Sequence, residues 1–294
     1  MTKTIKAREH GAMLQLWRAL SYNLQAYVAR RPELLCDVPW LGAQLRVGAE
    51  DILGRRLFKR GLYERGVTTF LLRYLAAAPQ DVIFDVGANV GYYSVLAHQC
   101  CGDAATIHAI EAEPGNHALL LANLRGVGAR VVTHPVAVSD AAGTAELYLW
   151  KASNRGKHSL VPFEGCESVS VPTRTIDSIV QEHGLGARAI SLLKIDIEGA
   201  EHRAFLGAAQ TLPKCRVIVS EVSAKFLRRA GISIDEHIAL VCDNGFGMFA
   251  IDDDGSCRPC TVDELRNSTK SRNVAYLRED LMGEPWVGQV FGPA

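Results

Sequence analysis

The stretch Asp85-Val-Gly87-Ala-Asn89-Val-Gly91 follows directly on the apolar, β-branched run at residues 82–86 and opens a helical pattern. A strand that turns sharply into a helix needs glycine, because a Cβ would block both the tight backbone and any ligand approaching it. The N–H groups at the start of the helix form a natural receptor for an anionic group. The rest of the chain repeats this strand-to-helix rhythm. Apolar runs recur at 106–111, 130–138, 190–196, 216–222, 247–251 and 273–277, and helical patterns lie at 91–99, 115–124, 175–182, 200–209 and 234–243. Buried strands spaced about 25 residues apart and alternating with helices predict a doubly wound α/β sheet. Residues 140–174 interrupt the rhythm. There, 144–150 and 168–173 read as extra strands joined by a polar segment that includes the basic, flexible loop 151–159.

Upstream, Leu16, Trp17, Leu20, Leu24, Tyr27 and Val28 fall on one stripe at helical spacing. The plain reading is a helix packed on the domain; a lid or a homodimer surface is the sharper one. A second helix is expected through 44–60, after the break at Pro39 and Gly42, and a third near 66–78, stopped by Pro79. The chain thus divides into an N-terminal helical extension, residues 1–64, and a sheet domain, residues 65–294.

Lys+Arg and Asp+Glu both number 32. A chain so balanced has no overall field to draw it onto nucleic acid or anionic lipid, so a small or neutral substrate is expected. No secretory signal is read, and no apolar run reaches the roughly 18 residues that a membrane span needs. The eight cysteines fall at irregular spacings; they read as reduced thiols of a cytoplasmic protein. Cys257-Arg-Pro-Cys260 lacks the second pair that a structural zinc needs.

The turn discriminates between cofactors. A dinucleotide fingerprint places glycine at its third position, so that a pyrophosphate can lie close. Here Asn89 occupies that position, and an acid, Asp85, precedes the first glycine by two residues. Both departures oppose a pyrophosphate. Asp85 suits an ammonium group instead, as in the methionine end of S-adenosylmethionine. Glu111 ends the second strand about 25 residues further on, where an acid accepts hydrogen bonds from ribose hydroxyls. NAD and S-adenosylmethionine sites share that feature. The alternatives are therefore a nicotinamide-dependent oxidoreductase, which should carry glycine at 89 and a neutral residue at 85, and a non-catalytic nucleoside-binding protein on the same fold.

The fourth strand ends in Lys194-Ile-Asp196-Ile-Glu198-Gly-Ala-Glu201. Ligands of open α/β sheets bind beyond the carboxyl ends of the strands where strand order reverses, so Asp196 is expected at the reacting centre. For Glu201, and less so for Glu198, the competing role is an acid at a helix N-terminus.

DVGANVGYYS, AIEAEP, Asn123, AVSD at 137–140, TIDSIV and LKIDIEGAE together resemble the FkbM family of methyltransferases, over about residues 65–280. The resemblance implies a class I methyltransferase (Rossmann-like) fold with a seven-stranded sheet whose last strand is antiparallel. It also implies S-adenosylmethionine as cofactor and methylation of a hydroxyl, commonly on a sugar or a polyketide-type natural product. By that similarity Asp85, Gly87, Asn89 and Gly91 belong to the methionine end of the cofactor, Glu111 to the ribose and Asp140 to the adenine amino group. Asp196 and Glu198 would lie beside the reacting centre. An alcohol must lose its proton as it is methylated. Asp196 is the first candidate base, with Glu198 in support, and His158 in the basic loop is its rival. Asp196, Glu198 and Glu221 also offer hard oxygen ligands to magnesium, but nothing in their spacing demands a metal, and none is expected. Tyr92, Tyr93, Tyr148 and Trp150 are compatible with a sugar, a lipid-linked glycan or a polyketide acceptor.

Overall fold

The computed structural model describes residues 12–292 except 129 and 163. It opens with a helix, Ala12–Asn23, continued by a wider π turn, Leu24–Val28. The apolar stripe does not pack on the domain. Leu16, Trp17, Leu20, Leu24, Tyr27 and Val28 are all exposed, while Arg18, Tyr22 and Ala26 turn inward.

Next come β1 (Glu33–Val38) and β2 (Ala43–Gly48), an antiparallel hairpin. This corrects the expectation of a helix from residue 44. Leu34, Cys36 and Val38 alternate with exposed residues, and Leu45 and Val47 do the same; a period of two buries one face of a hairpin. The helix begins only at Ile52 and runs to Arg60, with Asp51 accepting the Leu53 N–H at 3.1 Å as its N-cap. The helix Arg65–Ala77 follows, as expected.

The remaining strands are β3 (Val82–Val86), β4 (Thr106–Ile110), β5 (Val131–His134), β6 (Ala137–Val138), β7 (Gly143–Tyr148), β8 (Ser168–Arg174), β9 (Ile190–Ile195), β10 (Cys215–Val222), β11 (Phe246–Ile251), β12 (Cys257–Pro259) and β13 (Arg272–Arg278). The large sheet has the order β12-β11-β13-β10-β9-β3-β4-β5. Neighbours from β10 to β5 are parallel, and β13, last in the chain, runs antiparallel to both β10 and β11. This is the class I methyltransferase sheet with one addition: β12, from the Cys257–Cys260 segment, pairs antiparallel with β11 as an eighth, edge strand.

The apolar run 130–138 divides because Pro135 offers no N–H to a ladder. β5 stays in the large sheet, whereas β6 joins β8 and β7 in a separate three-stranded sheet. The extra strands expected between 144 and 173 are these two, β7 and β8.

Side chains alternate across the buried strands. Ile83 packs in a cluster with Leu45, Phe70 and Ile107, while Phe84 and Val86 pack in another with Ile110, Leu193 and Ile218. The first cluster runs without a break from Tyr22 and the hairpin into the sheet. Asn123 ties the same hairpin to the glycine turn. Its Oδ1 accepts the Arg46 N–H at 2.6 Å, and its Nδ2 donates to the carbonyls of Arg46 (2.9 Å) and Val90 (2.8 Å). Among the described residues no helix is long and apolar enough to cross a membrane.

Candidate active site

β3 and β9 are adjacent in the sheet, and helices leave their ends in opposite directions along the strand order, so a crevice opens between them. The glycine turn fills one side. The N–H groups of Gly87 and Ala88 both donate to the Ile110 carbonyl at 2.9 Å, and the Asn89 N–H donates to Glu111 Oε2 at 2.8 Å. Gly87 has φ +76° and abuts the neighbouring strand end; a Cβ there would lie 2.0 Å from the Asp196 carbonyl oxygen. Only glycine tolerates both conditions.

A cleft of about 540 Å³ lies over the ends of β3 and β4. Its walls include Ile110, Val136 and Leu147, and its polar groups include Asn89, Glu111 and Asn116. Glu111 Oε1 accepts the Glu113 N–H at 2.9 Å. Each carboxylate oxygen therefore holds one backbone N–H and keeps further acceptor capacity for a pair of hydroxyls. Burial raises the Glu111 pKa to about 7, against the two N–H groups that favour the charged form. An apolar slot with an acid at this depth fits the nucleoside of S-adenosylmethionine.

Asp85 lies beneath the turn and is not among the residues lining this cleft or the acidic one beside it. It is buried, accepts a hydrogen bond from Ser94 Oγ at 2.7 Å and faces Lys194 Nζ at 3.5 Å. Lys194 is also 4.0 Å from Asp196 Oδ2 and sits 4.8 Å over the Tyr93 ring. Burial alone would lower the Lys194 pKa, but Asp85, Asp196 and Glu64 together raise it, so this buried ammonium stays charged.

The second cleft, of about 880 Å³, shares Gly87, Asn89 and Asp196 with the first and opens over the ends of β9 and β10. Arg56, Tyr63, Glu64, Lys157, Glu198 and Glu221 give it a strongly polar wall. Carboxylate oxygens of Asp196, Glu198 and Glu221 come within 4.8 Å of one another. Burial, then repulsion from Asp196, pushes Glu198 and Glu221 each up to about 8, and the same two causes raise Glu64. Lys157 Nζ stands 3.8 Å from Glu198 Oε2. Glu201 keeps out of the cleft: its carboxylate accepts the N–H groups of Ile197 (3.0 Å) and Gly199 (2.9 Å) and shapes the loop after β9.

The loop 151–159 roofs both clefts and is anchored on both sides. The Arg155 N–H donates to Asp51 Oδ1 at 2.8 Å, and the Arg155 guanidinium pairs with Glu113 at 3.0 Å. His158 lies against the first cleft, not the acidic one. Its Nδ1 accepts the Trp150 N–H at 2.9 Å, and burial lowers its pKa. Asp140 is not brought to either cleft; it is exposed, with Ser139 Oγ donating to it at 2.8 Å and Arg203 4.0 Å away.

Sequence reasoning missed Glu64, Tyr63 and Arg56, which reach the acidic cleft from the N-terminal extension. No spacing marks them. Glu64 has φ +40° at the start of the helix Arg65–Ala77, a conformation that only the folded chain reveals.

Residues 85–248, over half of the chain, match the methyltransferase FkbM domain model. The chain is 28% identical to 31-O-demethyl-FK506 methyltransferase FkbM of Streptomyces tacrolimicus, covering 72% of this chain and 87% of that one. It is 26% identical to hexuronic acid methyltransferase AglP of Haloferax volcanii, covering 72% and 82%. Among solved structures, fibrillarin of Aeropyrum pernix, with natively bound S-adenosyl-L-methionine, is similar over 73% of this chain and 76% of that one, at 10% identity and a TM-score of 0.40. Because the FkbM domain model spans more than half of the sequence, from the glycine turn through the strand-end acids, the chain belongs to the FkbM family and is a methyltransferase.

Proposed function

We propose that the chain transfers the methyl group of S-adenosylmethionine to a hydroxyl of a sugar, glycan or polyketide-type small molecule. The observation that carries this reading is the acidic cleft, which meets the first cleft, lined by Glu111, at Gly87, Asn89 and Asp196. Carboxyl groups and a buried ammonium around one opening suit a polyhydroxylated acceptor, each hydroxyl finding both donors and acceptors. The names of the two relatives support the same acceptor classes, one a hexuronic acid and the other a demethylated FK506.

When bound, S-adenosylmethionine supplies a methyl group activated by its sulfonium. Glu111 receives the ribose hydroxyls, and Asn89, Gly87 and Gly91 shape the turn around the methionine end. Asp85 acts there through the turn and Lys194. Asp196, shared by both clefts, orients the acceptor hydroxyl and takes its proton. Glu198 and Glu221, protonated in part at neutral pH, donate hydrogen bonds to neighbouring hydroxyls. His158 is a donor through Nε2 in this scheme, because its Nδ1 lone pair is already used. Holding oxygen and methyl in line supplies much of the rate. No divalent ion is needed, and turnover at saturating substrate is expected to survive exhaustive chelation at temperatures where the chain stays folded.

The test is incubation with methyl-labelled S-adenosylmethionine and a panel of uronic acids, neutral glycans and macrolide alcohols, followed by NMR of the product. A label on oxygen supports the reading. A label on nitrogen or carbon, or a chain that binds NAD and not S-adenosylhomocysteine, overturns it.

A further inference from the structure

Three imidazoles that line neither cleft meet at the edge of the large sheet. The register sets His108 beside Val132 and Ile110 beside His134, so both histidines project from the same face of the β4–β5 pair. The helix Ile176–Glu182 ends against that face, and its C-cap residue, His183, brings the third ring. The ring centroids are 5.3 Å (His108–His134), 4.8 Å (His108–His183) and 5.2 Å (His134–His183) apart. One nitrogen from each ring lies within 4.8 Å of the other two.

His108 Nδ1 and His134 Nε2 are 3.0 Å apart. Two imidazole nitrogens at that separation need a proton or a metal cation between their lone pairs. His108 is 1% exposed, and its Nε2 is buried without a hydrogen-bond partner. The set is therefore incompletely satisfied as it stands.

We propose that His108, His134 and His183 bind one late first-row divalent cation, zinc being the reference ion. The donor set is imidazole alone, which suits Zn²⁺, Ni²⁺ or Cu²⁺ and not the hard, oxygen-seeking Mg²⁺ or Ca²⁺. His183 is exposed, so an ion reaches the site from solvent and keeps a water to complete a tetrahedral set. The neighbouring cations are already paired, Arg188 with Asp81 and Arg174 with Glu182. Burial, followed by the adjacent imidazoles, lowers His108 to about 3 and His134 to about 4. Both rings are thus neutral, the form that offers a lone pair to metal. The ion would clamp the helix end to the strand pair. It would also brace the first cleft from behind, because the His134 carbonyl accepts the Glu111 N–H at 3.1 Å.

The full chain, stripped by chelator and reloaded with Zn²⁺, is assayed for bound metal by elemental mass spectrometry and for its thermal midpoint by calorimetry. One tightly held equivalent and a raised midpoint are expected. Co²⁺ in its place should give a spectrum without thiolate charge transfer. H183A, altered at an exposed position, should keep the metal-free midpoint of the parent but lose both the equivalent and the zinc-dependent rise. Failure of the parent to hold stoichiometric zinc overturns the proposal. So does full zinc binding by H183A, or a thiolate band with Co²⁺, either of which would place the ion on the acidic cleft or the cysteines.

Discussion

Asn89 donates its backbone N–H to Glu111 Oε2 at 2.8 Å, so the turn after β3 and the acid after β4 form a single hydrogen-bonded unit. On the proposed function, removing the acid costs twice, once in the ligand and once in the turn. Glu111→Ala is expected to weaken S-adenosylhomocysteine binding by roughly 10–100-fold, the equivalent of about 1.5–3 kcal/mol for hydrogen bonds to a carboxylate. Titration calorimetry measures it; an unchanged affinity would remove Glu111 from the nucleoside site.

Gly87→Ala is expected to be far more damaging than its single methyl suggests. The Cβ would meet the Asp196 carbonyl oxygen at 2.0 Å, on a residue with φ +76°. Overlap with backbone and an unfavourable φ together should cost more than about 3 kcal/mol in urea unfolding.

Asn123 answers to three backbone groups, two on β2 and one in the turn. Asn123→Ala strands them, and a loss of about 2–4 kcal/mol follows from buried partners left unpaired. The measured quantity is the urea midpoint. A loss confined to activity, with stability intact, would show that the bonds to the hairpin carry no load.

Asp196→Asn keeps the shape of the side chain and removes its charge. On the proposed chemistry, kcat at saturating acceptor falls by roughly 100-fold or more, while S-adenosylhomocysteine affinity changes little. Near-normal turnover would move the proton-accepting role elsewhere.

Glu198, Glu201 and Glu221 each sit at about 8 in the folded chain, chiefly through burial, against an ordinary value of 4.5. Groups raised in this way stabilise the fold fully below pH 4.5 and lose that contribution as pH climbs through about 8. Between pH 7 and 8.5 the native chain binds more protons than the unfolded one, so stability should fall as pH rises. His108, His134 and His237, which burial lowers to about 3, 4 and 3, stay neutral in the folded chain throughout this window. Calorimetry across that window should show a declining midpoint, and Glu221→Gln should flatten the slope.

The sheet was legible because its strands are buried on both faces and so stand out as unbroken apolar runs, and because the turn needs glycine at Gly87. The hairpin was not. Its alternation, Leu34, Cys36, Val38 and then Leu45, Val47, is short and leads without a strong break into a true helix at Ile52. The stripe on the first helix misled for a different reason. Periodicity reports that one face is apolar but not whether anything covers it, and here the covered face holds Arg18, Tyr22 and Ala26. That Glu111 and Asp196 would line the crevice was readable because strand ends in this topology converge. Glu64 was not, since it enters from a segment whose path over the sheet depends on tertiary packing alone.

Glu64, Tyr63 and Arg56 lie upstream of residues 85–248, the part that matches the family. The wall they build is thus written in a different stretch of gene from the turn and strand ends that it faces. On the proposed function, variation at the front of the chain would reshape what enters the acidic opening while Gly87 and Glu111 stay untouched, so acceptor choice and the hold on the donor would be set by separate parts of the sequence.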